Sequence, residues 1–272
     1  MPELPEVEIT KNILAPHITS KIIEKVRIYA PKLRWPIPPE IATELPGLSI
    51  KMLERRAKYL VFYTAKGTLI IHLGMSGSLQ LAAPGSSPGK HDHFEIILKN
   101  GPIVRLNDPR KFGCVLWTTE RLGQHKLFKN LGCEPLEPEF SPTFLFKIIQ
   151  GKKQGIKQFI MEQKNVVGVG NIYASESLFL AKIYPLFPAK NLTFQQCKTL
   201  VETIKNVLKK AILAGGTSIK DFVSPTGNTG IFADQLFVYG RKDQPCKICR
   251  ASIQSQTIAQ RNTFFCLSCQ PI

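Results

Sequence analysis

Apolar positions follow two different rhythms along the chain. From about Lys21 to Trp117 they come in short β-branched or aromatic runs: Ile22-Ile23, Val26–Ile28, Leu60–Phe62, Leu69–Ile71, Phe94–Ile97 and Val115–Trp117. Turn formers separate them at Pro46-Gly47, Lys66-Gly67, Gly74, Gly77 and Asn100-Gly101. That spacing predicts an antiparallel β-sandwich or barrel, with residues 84–90 as a loop. Ahead of it, Leu4, Val7, Ile13 and Leu14 predict a short helix that Pro5 starts and Pro16 stops. Beyond Cys133 a Pro- and Glu-rich linker leads into helical periodicity. The clearest helix spans 194–214. Thr193 and Gln196 form a capping box, Phe194, Cys197, Val201, Ile204, Leu208 and Ala211 make one stripe, and Gly215-Gly216 ends it. Shorter helices at 154–163 and 171–181 flank the turn Asn165–Gly170, a unit that can aim backbone N–H groups at a phosphate. Residues 218–235 read as a polar loop. The expected division is 1–133, 134–240 and 241–272, without internal repeats.

Charge adds a partner class. The 272 residues hold 36 Lys+Arg against 20 Asp+Glu, a formal net charge of +16. Each of the three segments has a basic excess, which suits a long polyanion lying across several elements, nucleic acid above all. No apolar run approaches the ~18 residues of a bilayer span. The acidic first ten residues do not resemble a secretory signal. The expectation is a soluble intracellular protein without membrane attachment.

The last segment carries the strongest chemical signal. Cys246-x2-Cys249 and Cys266-x2-Cys269 are two knuckles sixteen residues apart, which supply four thiolates for one tetrahedral zinc. Four thiolates leave no open position, so the zinc is expected to be structural. Between the knuckles Arg261 precedes an aromatic pair, as if a hairpin presented it to phosphate. Cys114, Cys133 and Cys197 sit singly in apolar surroundings and read as buried small hydrophobes. At the other end, removal of Met1 would leave the secondary amine of Pro2 as a nucleophile, with Glu3 beside it.

Several blocks together resemble the bacterial formamidopyrimidine-DNA glycosylases. They are Met1–Glu8, Arg55–Leu60, Ile71–Gly77, Lys90–His93, Asp108–Gly113, Asn165–Glu176 and Tyr239–Lys242, followed by the four cysteines. The resemblance runs end to end. It implies an α+β multidomain protein: an N-terminal antiparallel β-sandwich flanked by helices, a helix–two-turns–helix domain and a four-cysteine zinc finger. It implies a bifunctional DNA glycosylase and abasic-site lyase of base-excision repair. Such an enzyme excises oxidised purines (formamidopyrimidines and 8-oxoguanine) through a Pro2 Schiff base and β,δ-elimination. The expected partner is damaged double-stranded DNA, bound by a cytoplasmic monomer.

The resemblance also implies roles. Pro2 attacks, Glu3 is the acid/base on the sugar, and Glu6 is a supporting carboxylate. Lys58 is the active-site cation, and Arg261 counts with this set as the finger's phosphate-holding arginine. Met75, Arg110 and Phe112 fill the gap left by a flipped nucleotide; without the family, Phe112 would read as core. His72, His91, Lys152 and Asn171 are the other DNA contacts. Lys157 and the 218–235 loop read the damaged base. About six phosphate contacts would give a log-affinity slope near −5 against log salt. Two other readings remain: the sister activity on oxidised pyrimidines, and a non-catalytic zinc-ribbon DNA-binding protein. Leu4 and the Met75/Arg110/Phe112 set favour purines.

Overall fold

The computed structural model describes residues 2–217, 224–225 and 232–272. They pack as two units, Met1–Lys129 with Ala214–Ala233, and Asn130–Leu213 with Asp234–Ile272. The first unit begins with helix α1 (Leu4–Ile18) and strand β1 (Ile23–Ile28). Then follow the short helix α2 (Ile41–Glu44) and strands β2 (Met52–Arg56), β3 (Tyr59–Tyr63), β4 (Thr68–His72), β5 (Ser78–Ala82), β6 (Asp92–Leu98), β7 (Ile103–Asn107) and β8 (Cys114–Thr118). These make two four-stranded sheets, β1-β6-β7-β5 and β2-β3-β4-β8. Every strand pair in them is antiparallel. A sandwich is therefore the outcome. Leu60, Phe62, Leu69, Ile71 and Val115 from one sheet join Phe94, Ile96, Val104 and Leu106 from the other in a single apolar cluster. Val7, Leu14 and Ile18 of α1 belong to the same cluster.

Two local expectations shift. α1 runs through Pro16 to Ile18. A proline in the last turn removes one N–H, and the helix then closes with the Thr19 N–H on the Ala15 carbonyl at 3.0 Å. Strands β2, β5 and β7 lie outside the predicted runs because polar residues interrupt each of them, leaving no β-branched or aromatic run of three. In β2 only Leu53 is buried among Met52, Leu53, Glu54, Arg55 and Arg56.

The second unit contains α3 (Pro142–Ile148), α4 (Ile156–Met161), α5 (Asn171–Leu180), α6 (Phe194–Leu213) and the hairpin β9 (Gln254–Ile258) and β10 (Arg261–Phe265). The α6 cap forms as its sequence predicts. Thr193 N–H donates to Gln196 Oε1 at 2.9 Å and Gln196 N–H to Thr193 Oγ1 at 3.1 Å. α5 is the hub, packing on α4, α6 and β10. Its Glu176, 2% exposed, accepts the backbone N–H groups of Phe237, Val238 and Tyr239 at 2.8–2.9 Å. Burial still pushes that carboxyl above its usual range, against the three amides and Lys247. The tail's own core is small: Val238, Cys246, Ile253 and Cys266 around Phe179. Cys114 and Cys197 are buried as expected, whereas Cys133 is only half-buried because it sits in a loop against Glu134. Among the described residues no helix is long and apolar enough to cross a membrane.

Candidate active site and DNA-binding residues

Strand register places the first cluster. Tyr59 on β3 pairs with His72 on β4, and His72 pairs with Cys114 on β8. Three chain segments therefore leave the same end of one sheet: the Ala57-Lys58 turn before β3, the Leu73–Gly77 turn after β4, and the 108–113 loop before β8. The Tyr59 ring lies 4.9 Å from that of His72. His72 Nδ1 accepts the Gly74 N–H at 2.9 Å, which leaves the ring proton on Nε2. Burial first, then the charges of Lys58 and Arg34, lower the His72 pKa to about 4. His72 is therefore a neutral donor at neutral pH, so as a phosphate contact it offers a hydrogen bond and no charge.

α1 brings the N-terminus to the same unit. Pro2 is buried, and Glu3 is the N-cap in an extended conformation. The Glu3 N–H belongs to the Pro2–Glu3 peptide, and it donates to Glu6 Oε2 at 2.8 Å. Glu6 Oε1 accepts the Thr217 N–H at 2.9 Å. Glu6 thus clamps the Pro2–Glu3 peptide to the start of the loop after α6. Glu3 and Glu6 are each 2% exposed. Lys58 is fixed by a strut that sequence reasoning missed. Arg55 donates from Nε to Glu8 Oε2 on α1 at 2.7 Å and from Nη1 to the carbonyl of Ala57 at 2.9 Å. Burial raises the Glu8 carboxyl, but hydrogen bonds from Lys11 and Arg55 outweigh it and hold the group below its usual value. The strut ties α1 to the turn that carries Lys58.

Met75, Arg110 and Phe112 project from the other two segments. Met75 is 39% and Phe112 44% exposed, and the Arg110 guanidinium stacks 4.8 Å above the Phe112 ring. Two exposed large apolar side chains, one of them under an arginine, fit insertion between bases better than core packing. His91 is half-buried at the end of the 83–91 loop, and its carbonyl accepts the Asp108 N–H at 2.9 Å.

The second unit holds the remaining candidates. Lys152 and Arg261 are exposed. Asn171 opens α5 and donates from Nδ2 to the carbonyl of Asn262 at 2.9 Å. Lys157, expected to read the damaged base, is 2% exposed, and its Nζ donates to Asn171 Oδ1 at 2.6 Å and to Thr263 Oγ1 at 2.8 Å. These two bonds join α5 to β10. The base-reading loop expected at 218–235 lies largely outside the described residues. Of its polar stretch, Ser224 is 4% exposed, and Leu81 donates its N–H to the Pro225 carbonyl at 3.2 Å.

The four cysteines converge. Their sulfurs all lie within 4.8 Å of one another, with Cys249–Cys266 at 3.4 Å and Cys246–Cys269 at 3.9 Å. A tetrahedron of thiolates about one metal needs sulfurs ~3.8 Å apart, from metal–sulfur bonds of ~2.3 Å. The donor set fits one structural metal ion, without an open position for substrate.

These features match known proteins over the whole chain. Residues 1–115 match the formamidopyrimidine-DNA glycosylase N-terminal domain, 131–223 the formamidopyrimidine-DNA glycosylase H2TH domain, and 243–272 the zinc finger found in FPG and IleRS. The formamidopyrimidine-DNA glycosylase of Haemophilus influenzae (strain PittEE) is 52% identical over 270 residues, covering 99% of each chain. The Lactococcus lactis Fpg in complex with abasic-site DNA superposes with a TM-score of 0.91 at 33% identity, covering 99% of this chain and 100% of that one. The same organism's wild-type Fpg with N7-benzyl-Fapy-dG DNA gives 0.91 at 34%, covering 100% of both. With half its sequence identical to such an enzyme and the described part of the fold shared, the chain belongs to the formamidopyrimidine-DNA glycosylase family, the DNA glycosylases of base-excision repair.

Proposed function

We propose that the protein is a bifunctional glycosylase and abasic-site lyase that removes formamidopyrimidines and 8-oxoguanine from duplex DNA as a cytoplasmic monomer. The observation that carries this reading is the clamp at the N-terminus. Glu6 holds the Pro2–Glu3 peptide, and the Glu8–Arg55–Ala57 strut ties the Lys58 turn to the same helix, α1. Once Met1 is removed, the Pro2 nitrogen is a secondary amine. Its lone pair forms a bond to C1′, the glycosidic electron pair leaves with the base, and the base takes up a proton. Opening of the C1′–O4′ bond gives an iminium, with Glu3 supplying the proton to O4′. The iminium acidifies the C2′ proton, whose removal expels the 3′ phosphate; a second elimination expels the 5′ phosphate. Lys58 offsets phosphate charge during these steps, and Glu6 acts by holding Pro2 and Glu3 in place.

The flipped nucleotide leaves a gap, which Met75, Arg110 and Phe112 fill. His72, His91, Lys152, Asn171 and Arg261 hold phosphates, His72 as an uncharged donor. Lys157 acts from behind Asn171. The metal is zinc, because four thiolates in two Cys-x2-Cys knuckles select a soft ion of tetrahedral preference. Zinc here supplies folding energy to the tail and takes no part in the chemistry.

Borohydride reduction tests the reading. With a duplex carrying 8-oxoguanine opposite cytosine, a covalent protein–DNA adduct should form, and Pro2→Gly should bind yet fail to trap. Binding without an adduct would leave a non-catalytic DNA-binding protein. A thymine glycol duplex run alongside decides the lesion class: preferential trapping there would favour the oxidised-pyrimidine activity.

A further inference from the structure

The two segments bearing Met75 and Phe112 are joined by a carboxylate that none of the roles above uses. Asp108 is fully buried at 0% exposure. Its Oδ1 accepts the Ser76 hydroxyl at 3.1 Å and its Oδ2 accepts the Gly113 N–H at 2.8 Å. Ser76 follows Met75, and Gly113 follows Phe112. The carboxylate therefore spans from one segment to the other, one oxygen to each. Its own backbone is held as well. Asp108 N–H donates to the His91 carbonyl at 2.9 Å, and its carbonyl accepts Lys111 N–H and His93 Nε2–H at 3.1 Å each.

The backbones interlock around this contact. Gly74 has φ +66, and a side-chain carbon there would lie 2.4 Å from both the Gly113 nitrogen and the Phe112 carbonyl carbon. A carbon at Gly113 would meet the His72 carbonyl oxygen at 2.7 Å. Only glycines allow the two segments this close. Between Arg110 and Phe112, Lys111 takes a positive φ of 55, a costly conformation for a side-chain-bearing residue. The 4→5 and 7→8 strand connections are thus locked together at one end of the sandwich.

We propose that Asp108 is a positioning residue for base flipping: it holds Met75, Arg110 and Phe112 as one rigid wedge, so that all three enter the duplex together. This deepens the function proposed above and rests on it. The wedge matters only where a stacked, paired nucleotide must be extruded. An abasic site in single-stranded DNA has no stacked base to remove and needs no filler for the gap. Asp108 therefore governs reaction on duplex lesions and leaves chemistry at a single-stranded abasic site alone.

Asp108→Ala, Asp108→Asn and Ser76→Ala test this on two substrates: 8-oxoguanine opposite cytosine in a duplex, and an abasic site in a single-stranded oligonucleotide. Displacing a group by an ångström can cost about 100-fold, so Asp108→Ala should lower single-turnover excision from the duplex by about 30-fold or more. Strand cleavage at the single-stranded abasic site should stay within about threefold, since no extrusion is needed there. Asp108→Asn can still accept from Gly113 N–H and donate to Ser76 Oγ, so it should retain most duplex activity. Ser76→Ala cuts one arm while leaving the buried carboxylate bonded to Gly113. It should show a smaller loss, again confined to the duplex. Equal losses on both substrates for Asp108→Ala and Ser76→Ala would overturn the proposal, as would unchanged duplex excision by both. Wild-type protein that cleaves neither substrate would instead sink the glycosylase/lyase reading on which the proposal rests.

Discussion

A histidine beside phosphate is commonly counted as a cation, and His72 shows why its surroundings must be read first. Its place in the Ile71–Gly77 block was legible in the sequence; its charge was not. That depends on burial and on cations brought to it by a fold the sequence does not print. Burial, then Lys58 and Arg34, bring its pKa down to about 4. An unfolded chain takes up that proton near ~6.5. The folded form is thus fully favoured above that pH, and loses stability as pH falls from there towards 4. Between pH 7 and 4.5, wild-type unfolding free energy should fall by about 2–3 kcal/mol more than that of His72→Gln. Urea unfolding at several pH values measures this. Parallel curves would mean that the imidazole is charged in the fold like any exposed histidine. Phe112 carries the same lesson: an aromatic residue in a block of strand-like sequence looks like core, yet 44% of it faces solvent.

At the level of elements, periodicity located what was apolar on one face and missed what was mixed. α6 was legible to within a residue because its cap and stripe are local. β2 and β7 were not, because their charged residues, Arg55 and Arg105, find their carboxylates only after folding: the half-buried Glu8 for the first, the buried Glu95 and Asp92 for the second. Lys157 is a further instance. A lysine in the α4 sequence looks solvent-facing or ligand-facing, but here it lies between α5 and β10. If it acts as a tie, Lys157→Met keeps the stem and loses two charge-assisted hydrogen bonds, at a cost of about 2–3 kcal/mol. Affinity should then weaken similarly for damaged and undamaged duplexes, because Asn171 and the hairpin lose their anchor. Equilibrium binding to the two duplexes decides the matter. A variant that binds undamaged DNA normally and no longer prefers the lesion would restore the base-reading role.

Over the whole molecule, the +16 charge suits a polyanionic partner but does not say which cations meet it. Of the proposed phosphate contacts only Lys58, Lys152 and Arg261 are permanent cations, since Arg110 enters the gap in the stack. Three of them give a slope of about −2.7 in log affinity against log salt, shallower than the −5 expected from six contacts. Arg261 depends on the metal. The hairpin β9–β10 has two strands and a core of few side chains, which alone is marginal in water. Zinc at four thiolates contributes on the order of 10 kcal/mol to such a fold. Thr263 and Asn262 of the same hairpin hold Lys157 and Asn171. Stripping the metal should therefore release Arg261 and loosen Asn171 at once. Chelation should weaken duplex binding by at least tenfold, since each phosphate contact or ordered donor contributes on the order of 1 kcal/mol or more. It should also reduce the salt slope by about 0.9, the share of one cation. Added zinc should restore both. Because the sandwich unit has its own core, borohydride trapping on a single-stranded abasic oligonucleotide should survive chelation at high protein concentration. Metal-free protein with unchanged affinity and slope would show that the tail folds without its thiolate site and that Arg261 bears no phosphate.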